Sequence, residues 1–170
     1  GEEAVDARAG VYVMTYEGEG DIQITGKGIN VLSQEQGQIT FENPTGGSMV
    51  LKIIETDPFG TGEYIRDISV VLEENLALHE AGAIFNPDWL DLVADSREFR
   101  FMDWMETNNS GATSWDERPQ LSSPTWSDGV PVEVMVQLAN EAGVDPWFNM
   151  PHMADDDYVR QFAEYVRDNL

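Results

Sequence analysis

The sequence contains no cysteine and only two histidines. Without thiols the chain has neither disulfides nor thiolate metal sites, and its cysteine usage says nothing about a redox compartment. Two histidines would need distant carboxylates to complete a transition-metal site. We therefore predict no metal site and no cofactor.

Positive charge is also scarce, with 9 Lys and Arg against 32 Asp and Glu and a net charge of -23. A chain of this charge repels nucleic acid and anionic membranes at long range, so we exclude both as partners. The acidity indicates a solvated surface, with cation binding as the alternative interpretation. Neutral sugars are compatible with either.

Long apolar runs are absent as well, and no signal peptide is present. The start at Gly1 without a methionine indicates a processed or tag-cleaved chain, so the missing signal does not exclude export. We expect a secreted or periplasmic protein.

Short alternating or β-branched runs do fill the chain from Ala9 to about Leu72, broken by Gly, Asn and Pro. This pattern is typical of antiparallel strands and turns, and it contains six candidate strands. We assign residues 1–62 to an N-terminal β-rich, sandwich-like domain.

Beyond Leu72 the pattern alternates between helix and strand, which indicates βα units and a parallel sheet in an α/β domain over residues 63–170. Helix starts are predicted at Asn86-Pro87, at Pro131 and at the acidic run from Asp155, with a helix stop at Gly143. The acidic run suits a helix dipole, with Ca²⁺ binding as the alternative. The predicted core face of the last helix consists of Val159, Phe162, Val166 and Leu170.

Two apolar runs, Glu98 to Trp104 and Asp145 to Pro151, predict buried parallel strands. Between them, Thr107 to Ser127 forms a polar loop much longer than ordinary connections, a length common in functional or disordered loops.

Candidate ligand-binding side chains lie at the carboxyl ends of these two strands, where parallel sheets bind their ligands: Arg100 and Trp104 on the first, Trp147 and His152 on the second. Arg100, between two phenylalanines, is either a member of a structural ion pair or part of a site. His152 is either a satisfied structural donor or a ligand contact. The tryptophans either fill the core or stack on sugar rings.

Several segments resemble bacterial cellulase-like glycoside hydrolases of the retaining (β/α)8 type: Phe99 to Trp104, Thr107 to Asn109, Trp115 and Arg118, and above all Gly143 to His152, continuing into Asp156 to Arg160. The resemblance covers about the last hundred residues. It implies that Tyr64 to Leu72 is the first barrel strand and that Arg100 and His152 shape a sugar-binding subsite.

The same resemblance implies that the catalytic machinery is missing. In this family a fourth strand ends in Asn-Glu, whose Glu is the acid/base, and a later strand carries the nucleophile. Retaining hydrolysis needs these two carboxyl groups about 5 Å apart, and the sequence ends before either matching position. We therefore expect the front portion of a larger enzyme, with three βα units of an incomplete barrel and no catalytic residues.

Two other function classes remain open. The chain is a non-catalytic carbohydrate-binding module if Tyr12, Tyr16 and Phe41 contact polysaccharide, or an interaction module without a ligand. If the chain is part of a hydrolase, we expect it to bind a polysaccharide or oligosaccharide. The unpaired edge of the incomplete sheet also favours a homodimer.

Overall fold

The computed structural model describes residues 8–170. Contacts within the chain define two compact units, Gly1–Ile84 and Phe85–Leu170. The sequence places the division earlier, after residue 62. The stretch between the two positions contains a strand and a short helix, and in the structure both belong to the N-terminal unit.

The N-terminal unit is built from strands in two antiparallel sheets. The strands are β1 Gly10–Glu17, β2 Gly20–Gly26, β3 Asn30–Glu35, β4 Gln38–Asn43, β5 Met49–Thr56 and β6 Arg66–Leu72. One sheet has the order β3-β4-β1-β6, and β2 pairs with β5 in the other. Antiparallel pairing of short strands bounded by turn residues is what the alternating pattern predicts, and this coarse prediction is confirmed.

The core of this unit consists of large side chains from both sheets. Met14, Tyr16, Ile39 and Phe41 come from the four-stranded sheet, and Ile22 comes from the other; all five are buried and in contact. Burying a large apolar side chain contributes about 2 kcal/mol, so contacts between the sheets stabilise this unit.

Strand β6 corrects the sequence-based topology. It pairs antiparallel with β1, with Tyr12 opposite Leu72 and Val13 opposite Val71, and is therefore not the first strand of a parallel sheet. A β-branched run such as Ile68 to Val71 fits either kind of sheet, because periodicity does not specify the partner strand. After β6 comes a short 3-10 turn, Glu73–Asn75, and the helix α1, Leu76–Glu80.

The second unit alternates helices with strands. Its elements are α2 Pro87–Val93, β7 Glu98–Phe101, α3 Val132–Ala142, β8 Asp145–Phe148 and α4 Asp156–Asn169. Strands β7 and β8 pair in parallel, so the chain between them makes one β-α-β crossover through α3. Two parallel strands form this sheet where the sequence predicts three.

The predicted helix ends of this unit are confirmed. The Asn86 side chain accepts a hydrogen bond from the Asp88 N–H at 2.8 Å and caps α2, and the Asp155 side chain accepts one from the Tyr158 N–H at 2.7 Å and caps α4. Gly143 ends α3 with a φ of 66°, a left-handed conformation that glycine adopts at little cost.

The buried face of α4 matches the predicted one in part. Phe162 is buried and Val166 packs against the core as predicted, whereas Val159 and Leu170 are exposed and Tyr158 is buried instead. Aromatic side chains bury more area than valine or leucine, so the helix is rotated to place the tyrosine against the core. None of the helices within residues 8–170 has the length and apolar character that a membrane crossing requires.

Candidate functional site

The parallel pair β7–β8 has one face covered by helices and one face open to solvent. Phe99, Phe101 and Phe148 pack into the core formed with α3 and α4, and the rings of Phe101 and Phe148 stack at 5.5 Å. Because strand side chains alternate between faces, Arg100 and Trp147 emerge on the other face, and both are exposed. The alternation of the sequence therefore determines which residues this open face presents.

Arg100 and Trp147 are cross-strand partners on the open face. The guanidinium carbon of Arg100 lies 5.0 Å from the centroid of the Trp147 ring, within the range of a cation-π interaction. Among residues 8–170, Arg100 forms no ion pair, so the structural ion pair considered for it is not found there. Trp147 remains 51% exposed beside it.

Trp104 lies in the core rather than on the open face. Its ring meets Phe101 edge to face at 4.9 Å, and it packs against the buried cluster of this unit. Trp115 likewise contacts Tyr158 edge to face. Of the four tryptophans near the predicted strand ends, Trp126 and Trp147 are the exposed ones.

His152 joins the end of β8 to the loop after β7. Its backbone N–H donates to the Thr107 carbonyl at 2.9 Å, and its ring Nδ1 lies 3.2 Å from the same oxygen. Since a carbonyl only accepts, this contact favours the hydrogen on Nδ1 and leaves Nε2 available to another partner. The structure thus pairs Arg100 with Trp147 and His152 with Thr107.

Residues of the loop 102–131 line a half-open cavity of about 490 Å³. Its polar lining residues are Glu106, Asn109, Ser110, Glu117, Ser127 and Asp128. The length of this loop marks it as a functional candidate, but its sequence does not show which polar residues converge. The sequence signal that could have indicated this cavity is the set of Glu, Asn, Ser and Asp residues in the loop that follows the parallel strand β7.

One wall of the cavity is fixed by Glu117. Its carboxylate accepts hydrogen bonds from the Thr113 N–H at 2.8 Å, the Thr113 hydroxyl at 3.0 Å and the Ser114 N–H at 3.1 Å. The N–H groups of Thr113 and Ser114, together with the Thr113 hydroxyl, hold the pKa of Glu117 below its usual range. The side chain is therefore charged at neutral pH and caps the short 3-10 helix Trp115–Glu117.

No protein-family model, no curated protein and no solved structure matches this chain. An exposed indole can stack on the face of a ring that carries hydroxyl groups. A guanidinium beside it can donate hydrogen bonds to the oxygen atoms of that ring, and the polar residues of the cavity can also form hydrogen bonds. Within residues 8–170, no three His, Asp or Glu side chains come together in a way that could hold a metal ion.

Proposed function

We propose that this chain binds polysaccharide or oligosaccharide and is the front portion of a cellulase-like glycoside hydrolase. The observation that carries the proposal is the exposed Trp147 ring with Arg100 beside it on the open face of a parallel strand pair. Flat aromatic faces stack on the apolar faces of pyranose rings, and a guanidinium donates hydrogen bonds to oxygen atoms.

The residues of the proposed site have different tasks. The Trp147 ring stacks on the sugar through the part that Arg100 leaves uncovered, and Arg100 donates to ring oxygens or hydroxyls. His152 offers Nε2 at the end of β8, and Trp104 supports β7 from the core. We further propose that β7 and β8 belong to an incomplete (β/α)8 barrel, that the catalytic carboxylates lie outside this chain, and that the protein is secreted or periplasmic.

Titration calorimetry with cello-oligosaccharides tests the binding proposal. We expect Trp147→Ala to weaken binding by about tenfold, equivalent to about 1.4 kcal/mol. Trp126→Ala is the matched control, because Trp126 is 43% exposed and makes no equivalent pair with arginine within the described residues. Equal affinity of the two variants, or no binding to any glucan or other glycan, would refute the proposal.

Hydrolysis assays test the proposal that the catalytic carboxylates lie outside this chain. We expect no release of reducing sugar from soluble β-glucans by this chain. Hydrolysis that disappears in His152→Ala would instead mean that the catalytic groups lie within these residues.

A carbohydrate-binding module in the first unit is the alternative. Tyr16 and Phe41 are buried in the core, and Tyr12 stacks on Phe41 at 5.6 Å, so the first two are inaccessible as sugar contacts. The observation that favours the alternative is a pair of other aromatic residues, Phe59 at 76% and Tyr64 at 59% exposure, between β5 and β6. Loss of glycan binding in Phe59→Ala with retention in Trp147→Ala would favour this alternative.

A further inference from the structure

The two sheets of the N-terminal unit differ in width. One sheet has four strands and the other has two, so the narrow sheet cannot cover the whole inner face of the wide one. Met14 on β1 and Ile39 and Phe41 on β4 are buried between the sheets. The narrow sheet therefore lies opposite the two central strands of the wide sheet.

The edge strand β6 presents apolar side chains that the narrow sheet leaves uncovered. Val70 pairs with the buried Met14, and cross-strand partners point to the same face. Ile68 shares this inner face by alternation. Ile68 and Val70 are nevertheless 39% and 40% exposed. The inner face of a sandwich is normally buried by the opposite sheet, so β6 lacks an opposing strand within the described residues.

Strand β5 of the narrow sheet has a free edge. Its residues Leu51 and Ile53 pair with Ile24 and the buried Ile22, which places them on the inner face, yet Ile53 is exposed. Within residues 8–170, β5 pairs only with β2. Its other edge therefore carries unpaired N–H and C=O groups, which can form a ladder with one more strand.

A half-open cavity of about 320 Å³ connects β5 and β6. Its lining consists of apolar and aromatic side chains: Tyr12, Ile24, Phe41, Met49, Leu51 and Val70. No charged residue is among them, so the cavity accepts apolar side chains rather than charged groups.

The β2 edge of the narrow sheet differs from the β5 edge. There the Gln34 side chain on β3 donates a hydrogen bond to the Ile22 carbonyl at 3.4 Å. A strand added to β2 would have to displace this contact, whereas a strand added to β5 meets the apolar cavity. The β5 edge is therefore the favoured position for an additional strand.

The segment that forms this opening is acidic. Residues 48–74 contain six acids and two bases, and one of the bases, Arg66, is already paired with Glu17 and Glu63. Complementary charge accelerates association and selects partners. At low salt a second copy, with a net charge of -23, is disfavoured, and so are residues 1–7, which contain three acids and neither Lys nor Arg. The charge therefore favours a basic partner.

From these observations we infer that the N-terminal unit binds an extended basic peptide segment of another protein. The segment adds to the free edge of β5 as a strand and covers Ile68 and Val70. Its alternate side chains are apolar and enter the cavity, and the side chains between them are lysine or arginine. The inference does not rest on the proposed carbohydrate site, whose residues belong to the second unit.

Calorimetric titration of the full chain with short peptides tests this inference. Strand β5 has eight residues, so the probes are eight-residue peptides with blocked ends. The first alternates lysine and isoleucine, the second joins a block of four isoleucines to a block of four lysines, and the third alternates glutamate and isoleucine. We expect the first to bind at least about tenfold more tightly than either of the others, and less tightly as salt is added.

The variants Val70→Lys and Val50→Lys test the location of the peptide. Val70 lines the cavity, whereas Val50 pairs with Thr25 on the outer face of β5 and does not line it. Both variants add the same charge. We expect Val70→Lys to weaken binding of the lysine-isoleucine peptide by about tenfold and Val50→Lys by less than about threefold. Circular dichroism shows whether each variant is folded.

Hydrogen exchange on the wild-type chain tests the backbone pairing independently of any variant. We expect the lysine-isoleucine peptide to slow exchange in residues 49–56, because new hydrogen bonds form along β5. Equal affinity for the alternating and block peptides, unchanged exchange in this segment, or equal effects of the two variants would overturn the inference. Dimers that the peptide does not dissociate would assign the surface to a second copy. Binding of cello-oligosaccharides through Trp147 would stand in each of these cases.

Discussion

The guanidinium carbon of Arg118 lies 4.0 Å from the centroid of the Trp115 ring. The same guanidinium donates through Nη2 to Glu133 at 3.1 Å, and Trp115 in turn contacts Tyr158 edge to face. These contacts attach the loop of residues 102–131 to the start of α3 and to α4. The same loop supplies the residues that line the cavity, although neither Arg118 nor Glu133 is one of them.

The ion pair itself is mostly withdrawn from solvent, with side-chain exposures of 17% for Arg118 and 20% for Glu133. Arg118 Nε and Glu133 Oε2 are also buried without a hydrogen-bond partner within the described residues. We expect Glu133→Gln to lower the free energy of unfolding by about 3 kcal/mol, because it leaves a buried guanidinium uncompensated. Urea denaturation measures this change.

Glu164→Gln on α4 is the matched control. Glu164 pairs with Arg160 at 2.9 Å, but both side chains are about half exposed, so we expect a loss of about 0.5 kcal/mol. The double variant Arg118→Met with Glu133→Leu should recover part of the stability, since apolar side chains replace the unsatisfied polar atoms. Equal losses in Glu133→Gln and Glu164→Gln would contradict this account of the pair.

The lowered pKa of Glu117 predicts that the free energy of unfolding depends on pH. Its pKa is lower in the folded chain because Thr113 and Ser114 donate hydrogen bonds to its carboxylate. A lowered folded pKa contributes stability above the unfolded pKa, and this contribution is lost as the pH falls through the folded pKa. We expect the wild type to be more stable than Glu117→Gln at neutral pH, with the difference shrinking as the pH falls below the usual glutamate range.

Denaturation curves of both proteins across the acid range measure this difference. Asp116→Asn serves as the control, because Asp116 is the preceding exposed acid of the same 3-10 helix. A difference between wild type and Glu117→Gln that stayed constant with pH would mean that the hydrogen bonds do not favour the charged form.

Local features of this fold were predictable because their interactions lie within a few residues. Asn86 and Asp155 cap helices through N–H groups two and three residues ahead. Gly143 adopts the left-handed backbone conformation that ends α3. The alternation that exposes Arg100 between Phe99 and Phe101 is likewise local. Such signals can be read from one sequence without knowledge of tertiary contacts.

Contacts distant in sequence were not predictable in the same way. Strand β6 pairs with β1, whose residues lie 49 to 60 positions earlier in the chain, and nothing within the run of Ile68 to Val71 specifies that choice. The cavity brings Glu106 and Asp128 together only through the path of the loop. The Arg118–Glu133 pair also depends on the path of the loop, so no local sequence motif predicts it.

Strand β5 offers an edge for self-association, in addition to the edges of the parallel pair. It belongs to a two-stranded sheet and exposes Val50 and Ile54, and exposed apolar edge strands recruit other chains. We expect dimers in sedimentation experiments at high protein concentration, increasing with salt because screening weakens repulsion between chains with a charge of -23.

Ile54→Lys should reduce this dimerisation. Gln23→Lys on β2 is the control, because it adds the same charge at an exposed position of the neighbouring strand. Dimers that persist in Ile54→Lys would assign the contact to the parallel pair β7–β8, and a monomer at every concentration and salt level would contradict self-association altogether.

The alternation within β7 also limits which changes in chain length the second unit tolerates. Only four residues form this strand, and Phe99 and Phe101 meet the helices while Arg100 does not. Deleting or inserting one residue upstream within the strand would reverse the phase, pointing a phenylalanine to solvent and a guanidinium into the core. The loop after Met102 has no such phase to preserve, so homologous or engineered variants are expected to differ in length there and to keep the spacing of β7 unchanged.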